Sequence, residues 1–193
     1  MHTDNLGEPW RRGGVVLWLT GLSGAGKTTV AFYLQQQLSK AGRVATVLDG
    51  DTLRDGLCAD LGFSPDDRAE NVRRVAEVAK LFAGTGVIAI AALISPYRRD
   101  RAHARSIVTG AAGPSPFLEI FVDAPLDVCE HRDPKGLYAK ARAGVIPDFT
   151  GISAPYEPPD APDLTLHTDR CTVAEACDQI VSLLSRTIGG TYA

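Results

Sequence analysis

At 193 residues with 45% hydrophobic side chains, the chain has the length of one domain, about 100–200 residues, and enough apolar surface for a core. A formal net charge of −3 gives no drive toward nucleic acid or a membrane surface, and no apolar run nears the roughly 20 residues that span a bilayer. Residues 1–14 lack the apolar centre of a signal peptide, and Cys58, Cys129, Cys171 and Cys177 form neither a CxxC pair nor a zinc spacing, so ordinary thiols in a reducing cytoplasm are expected.

Residues 1–13 are polar and punctuated by Gly7, Pro9 and Gly13, which predicts a flexible arm ahead of a domain over 14–193; Trp10 in that arm has no assignable role. Val15 to Thr20 is apolar and rich in strand formers. It leads into Gly21, Leu22, Ser23, Gly24, Ala25, Gly26, Lys27 and Thr28, which fit the phosphate-binding pattern G-x-x-x-x-G-K-[ST] at every fixed position. From Thr29 to Ala41, Val30, Ala31, Leu34 and Leu38 share one helical face. Strand, glycine loop and helix N-terminus in this order converge backbone N–H groups and a helix dipole on a phosphate. Lys27 then reaches the β- and γ-phosphates, and the Thr28 hydroxyl can ligate Mg²⁺. The stretch predicts a nucleoside-triphosphate site.

A second buried strand, Val44 to Leu48, delivers Asp49-Gly50-Asp51 at its C-terminal end, the edge where open α/β sheets bind ligands. The two carboxylates are candidates for Mg²⁺ and proton handling; the alternative is a helix cap at Asp51, opening the segment Thr52–Leu61. Ser64, Pro65 and Asp67 predict the N-terminus of a helix running to about Ala83, with Val72, Val75, Ala79 and Phe82 buried. Arg68 and Asn71 share a face and can hold one ligand, whereas Glu70, Arg73, Glu77 and Lys80 suit a solvated face. Gly86 to Leu93 reads as a third strand, covered on both sides and ending in Ile94-Ser95-Pro96-Tyr97-Arg98. A helix over Asp100–Thr109, a Gly/Pro/Ser loop at 110–116, a fourth strand over Phe117–Val122 and a short helix over Leu126–His131 follow.

The basic segment from Arg132 to Gly144 is well placed for a lid, about 133–160, bringing positive charge to a transferring phosphoryl group; the alternative is a solvated basic helix. Phe149-Thr150-Gly151 and Tyr156 to Pro159 read as an extended loop that buries little. A short fifth strand at Asp163–Leu166 and a terminal helix at Val173–Leu184 complete the chain. Strands alternating with helices predict an α/β fold: a three-layer P-loop NTPase architecture with a five-stranded parallel sheet and a basic lid.

Several stretches together resemble the adenylyl-sulfate kinase family. They are GLSGAGKTT at 21–29, LDGD at 48–51, LGFSPDDRAENVRR at 61–74, ISPYRRDR at 94–101, FVDAPLDVCEHRDPKGLYAKARAG at 121–144, FTGI at 149–152 and PYEPP at 155–159. The phosphate loop is shared by many NTPases; the later blocks, in this order, are far more specific. The resemblance implies transfer of the ATP γ-phosphoryl group to the ribose 3′-hydroxyl of adenosine 5′-phosphosulfate. It implies Asp51 as the base orienting that hydroxyl and Asp49, with Thr28, at the Mg²⁺. Phe63 and Phe149 would stack on the acceptor adenine, with Arg54, Arg68 and Asn71 on its phosphosulfate and ribose. Ile94, Ser95 and Lys135 would complete the acceptor site. Thr29, Arg132 and Cys171 join the phosphate loop among the ATP contacts.

Some members of the family carry phosphoserine at the position of Ser95, which adds it to the catalytic set with Lys27 and Asp51; in-line transfer between two bound nucleotides does not itself require it. Thr52 stands where the family usually has Asn, and Ser153 where it usually has Asp. A homodimer, and a separate sulfate adenylyltransferase supplying the acceptor, are also implied. The competing readings are a kinase of this fold acting on another small nucleotide-like acceptor, and a nucleotide-binding regulatory subunit without turnover.

Overall fold

The computed structural model describes residues 13–110 and 115–188, so the expected arm, with Trp10, and part of the loop at 110–116 lie outside the described residues. The first strand, β1 (Val15–Thr20), is buried at every position. Its side chains alternate between two cores, Val15, Leu17 and Leu19 into one and Val16 and Trp18 into the other. That is why the run reads as continuously apolar: a parallel strand with helices on both faces has no solvent side. β2 (Ala45–Asp49), β3 (Ile88–Ala92), β4 (Phe117–Asp123) and β5 (Leu164–His167) complete a five-stranded sheet in the order β2-β3-β1-β4-β5, every pair parallel.

On one face, α1 (Lys27–Lys40) buries Val30, Ala31, Leu34 and Leu38, and α7 (Val173–Ile188) buries Ile180 and Leu184 beside them. On the other, α3 (Pro65–Gly84) buries Val72, Val75, Ala76 and Ala79 against Ala104 and Val108 of α4 (Arg98–Thr109). Each larger aliphatic side chain so buried contributes about 1.5–3 kcal/mol. Trp18 is fully buried, with its ring stacked on Phe117 at 5.6 Å between centroids. No helix among the described residues is long and apolar enough to cross a membrane.

Two expectations of burial are corrected. Phe82 is 38% exposed, because the last turn of α3 presents Ala83 inward. A Cβ on Gly14 would lie 2.1 Å from the Ala83 carbonyl oxygen, so only glycine fits where the start of β1 passes under the helix. The stretch Phe149–Gly151 buries far more than an extended loop: Phe149 is 8% and Thr150 2% exposed. Phe149 packs edge-on against Tyr138, 5.1 Å between centroids at 79°, a contact between residues too far apart for any periodicity to report.

The connections after β1, β2, β3 and β4 all emerge at one sheet edge, with β1 flanked by β3 and β4. The chain lays β2 and β3 on one side of β1 and β4 and β5 on the other, and the connections leaving in opposite directions open a crevice above the strand ends.

Candidate active site

The phosphate loop is shaped by backbone that only glycine tolerates. Gly21 has φ 151° and Gly24 φ 74°. A Cβ would meet the Val122 carbonyl oxygen at 2.3 Å in the first case and the Cys129 carbonyl oxygen at 2.9 Å in the second. Lys27, 8% exposed, donates through Nζ to the carbonyl oxygens of Gly21 at 2.9 Å and Leu22 at 2.7 Å. Its burial pushes its pKa down to about 8, against the opposing pull of Cys129, Asp51 and Asp49.

A charge-dependent phosphate contact through Lys27 therefore weakens as pH rises through about 8, since the neutral amine is favoured above that value. In the free enzyme, kcat/KM for ATP should fall by roughly tenfold per pH unit above it. A profile flat up to 10.5, the ordinary lysine value, would show that burial does not hold the Lys27 amine below its ordinary range.

Asp49 ends β2 and caps α2 (Gly50–Arg54): Oδ2 accepts from the backbone N–H of Asp51 at 3.2 Å and of Thr52 at 3.3 Å. The cap considered for Asp51 thus belongs to Asp49. Its other oxygen accepts from Thr28 Oγ1 at 2.8 Å, so the helix start aims one oxygen of the carboxylate at the phosphate loop. Two hard oxygen ligands side by side, at the mouth of a phosphate loop, suit Mg²⁺, which binds through one or two protein oxygens with substrate phosphates and water. Among the described residues no three His, Cys, Asp or Glu side chains gather into a fuller metal cage. Asp51 is exposed and pairs with Lys135 across the crevice.

Beyond the carboxylates lies an aromatic and cationic end. Phe63 is 61% exposed, with the Arg54 guanidinium 4.3 Å over its ring. Arg54 Nη1 donates to the carbonyls of Leu61 and Gly62, which fixes the turn that presents Phe63. Arg68 spends its fork on the Phe63 carbonyl, Thr150 Oγ1 and the Asp148 carbonyl, each at 2.8 Å, and so joins α3 to the 148–150 turn. Asn71 is 5% exposed and its amide Nδ2 has no hydrogen-bond partner among the described residues, a buried donor left for a ligand. Ser95 is buried at φ 39°, its Oγ accepting from Trp18 Nε1 and donating to Thr20 Oγ1. Its hydroxyl is held inside the fold.

The basic segment starts at Arg132, the last residue of α5 (Leu126–Arg132), and contains α6 (Leu137–Arg142), whose first turn Asp133 holds through the N–H groups of Tyr138 and Ala139. Tyr138, 2% exposed, donates from its hydroxyl to the Ser23 carbonyl at 2.9 Å, so the segment is seated on the phosphate loop. Sequence reasoning did not single out Tyr138; the one signal was its position one turn before Ala141 on an otherwise basic helix. Arg132 donates to the Gly24 and Thr168 carbonyls. The two departures from the family pattern also find places: Ser153 Oγ accepts from the Phe149 N–H at 3.0 Å, and Thr52 contributes its N–H to Asp49.

A single cavity of about 960 Å³ connects these parts. Ser23, Gly24, Gly26, Lys27, Thr28, Thr29, Arg132 and Cys171 line one end, Asp49 and Asp51 the middle. Arg54, Phe63, Arg68, Asn71, Ile94, Ser95, Lys135 and Phe149 line the rest. Gly21, Leu22 and Ala25 stand behind the loop instead, the first two holding Lys27 and Ala25 packing in the core. The cavity sits at the top of the range for one small ligand, about 300–1,000 Å³.

A family model described as adenylylsulphate kinase matches residues 13–167. The chain belongs to the adenylyl-sulfate kinase family. An adenylyl-sulfate kinase of Paraburkholderia xenovorans (strain LB400) is 57% identical over 171 residues, covering 89% of this chain and 93% of that relative. One of Clostridium acetobutylicum is 49% identical over 183 residues, 95% of this chain and 89% of that relative. Among solved structures, the Mycobacterium tuberculosis APS kinase CysC in complex with AMPPNP and APS is similar at a TM-score of 0.86 and 51% identity, covering 90% of this chain and 98% of that one. Family and fold agree with the expectations drawn from the motif blocks, and the α/β P-loop kinase architecture is the one observed.

Proposed function

We infer that the chain transfers the γ-phosphoryl group of ATP to the ribose 3′-hydroxyl of adenosine 5′-phosphosulfate, giving 3′-phosphoadenylyl sulfate and ADP. The observation that carries this reading is the single cavity running from the phosphate loop, past Asp49 and Asp51, to Phe63, Asn71 and Phe149. Phosphoryl transfer needs a donor and an acceptor held in line, with charge stabilised between them, and little else from the protein.

ATP lies with its phosphates on the N–H groups of the loop and its base toward Arg132 and Cys171. Lys27 leaves its two carbonyl partners for the β- and γ-oxygens. Thr28 and Asp49 would hold Mg²⁺, which would supply positive charge to the triphosphate. At the other end Phe63 and Phe149 wall the acceptor adenine, while Arg54, Arg68 and Asn71 take its anionic and ribose groups and the Ile94–Ser95 backbone borders it. Asp51 accepts the 3′-hydroxyl proton. For this it exchanges Lys135, its partner across the crevice, for the acceptor, and Lys135 turns to the transferring phosphoryl group. Residues 14–193 act as the kinase unit, and 133–160 as a lid that excludes water from the transfer. By the family's pattern the protein works as a cytoplasmic homodimer, with a separate sulfate adenylyltransferase supplying the acceptor and neither nucleic acid nor membrane as partner.

Phe63 is the best probe of the acceptor end, because its exposure frees it from any large share in the core. Phe63→Ala should weaken adenylyl sulfate by the worth of one base stack, about 1–3 kcal/mol, and raise its KM by roughly 5- to 150-fold. The KM for ATP should hold within a factor of about two, since no loop contact is touched. Equal weakening of both nucleotides would make Phe63 a support of the fold, and no weakening of either would place the acceptor base elsewhere.

A further inference from the structure

The blocks at 94–101 and 155–159 meet in a buried knot beneath the acceptor end of the cavity, and its centre, Arg101, has no role in the reading above. Arg101 is 2% exposed, although it lies in a helix whose first turn, Arg98 to Arg101, is charged throughout. Its guanidinium binds three elements at once. Nε pairs with Glu119 on β4 at 2.6 Å, Nη1 donates to the Ser95 carbonyl at 2.7 Å, and Nη2 donates to the Glu157 carbonyl at 2.8 Å. The planar fork has the geometry for this, and a lysine ammonium on a flexible stem does not.

Around it a second set of bonds closes on the same turn. Thr20 Oγ1 donates to the Ile94 carbonyl at 2.7 Å and accepts from Ser95 Oγ and from the Tyr156 hydroxyl, each at 3.0 Å. Trp18 Nε1 donates to Ser95 Oγ at 3.1 Å. Glu157 returns its N–H to the Pro96 carbonyl at 2.9 Å. Ser95 is held by these bonds at φ 39°, a left-handed conformation a non-glycine residue keeps only when its surroundings over-determine it. The Ser95 hydroxyl is thereby a link in the knot, accepting from one side and donating to the other.

We propose that Arg101 is a positioning residue for the acceptor nucleotide: by gripping the Ser95 and Glu157 carbonyls against Glu119 it holds the Ile94–Ser95 turn in the shape that forms one side of the acceptor site. Calling that side the acceptor site rests on the reading in the preceding section. The phosphate loop shares no hydrogen bond with Arg101, so its loss acts on one nucleotide and spares the other.

Arg101→Lys should raise the KM for adenylyl sulfate at least tenfold and leave the KM for ATP within about twofold. Tyr156→Phe removes one hydroxyl at the far side of the knot without changing its packing, and should give a smaller rise in the same KM alone. A second readout needs no turnover: the Trp18 indole N–H, assigned against Trp10→Phe, should be protected from solvent exchange in the wild-type protein and lose part of that protection in Arg101→Lys, which frees the Ser95 turn that accepts its bond. Equal rises in both KM values, or no change in either variant, would overturn the proposal. So would an indole N–H equally protected in wild type and Arg101→Lys. Wild-type protein inert toward adenylyl sulfate, with indole protection still reduced in the variant, would refute the acceptor assignment while leaving Arg101 as the residue that shapes this turn.

Discussion

Lys27→Ala should lower kcat by about 100- to 1,000-fold, the usual loss when one preorganised charge donor to a developing transition-state charge is removed. Among the described residues the ammonium donates to the Gly21 and Leu22 carbonyls, and its alkyl stem ends at the cavity wall. Truncation therefore removes two backbone contacts and leaves both cores as they are. A thermal midpoint close to wild type, with the rate lost, is the expected pair of results. Retention of more than about a tenth of the wild-type rate would mean that the phosphate loop binds a nucleotide without promoting its reaction.

Asp51→Asn should cost about 100- to 10,000-fold in kcat, the range for a positioned general base, with little change in the KM for ATP. Asp51 is exposed and its side chain pairs with Lys135 among the described residues, so the substitution removes little structural support; exposed pairs of this kind contribute about 0–1 kcal/mol to stability. The comparison with Asp49→Asn separates the two carboxylates. Asp49 orients on the N-terminus of α2 and on Thr28, so its loss should raise the Mg²⁺ concentration needed for half-maximal rate, whereas loss of Asp51 should leave that concentration unchanged. If both variants shift the Mg²⁺ requirement alike, the assignment of separate roles is wrong.

The central strands β1 and β3 were legible in the sequence because they are buried at every position and read as unbroken apolar runs. The phosphate loop was legible because its glycines answer to steric limits of the backbone and not to the rest of the fold. Ser64 and Asp67 likewise cap α3 by a purely local bond. What periodicity did not reveal depends on partners distant in the chain. Phe149 is buried by Tyr138, and Tyr138 is held by the Ser23 carbonyl, in a stretch whose composition reads as solvated. Arg101 reads as one more surface charge on α4, and it is buried because Ser95, Glu119 and Glu157 surround it from three other parts of the chain. The carboxylates divided for a similar reason: which of Asp49 and Asp51 caps α2 is decided by the residue at which the strand stops, and β2 ends on Asp49.

The acceptor is identified by analysis of the products. Purified protein would be incubated with ATP, Mg²⁺ and one acceptor at a time, adenylyl sulfate, adenosine 5′-monophosphate or a sugar acid, and the mixture resolved by anion-exchange chromatography with ³¹P NMR of each product. The account predicts a new 3′-phosphomonoester signal on adenylyl sulfate, formed in step with ADP, and no comparable product from the other acceptors. ADP formed without that signal, or faster phosphorylation of either other acceptor, would contradict it.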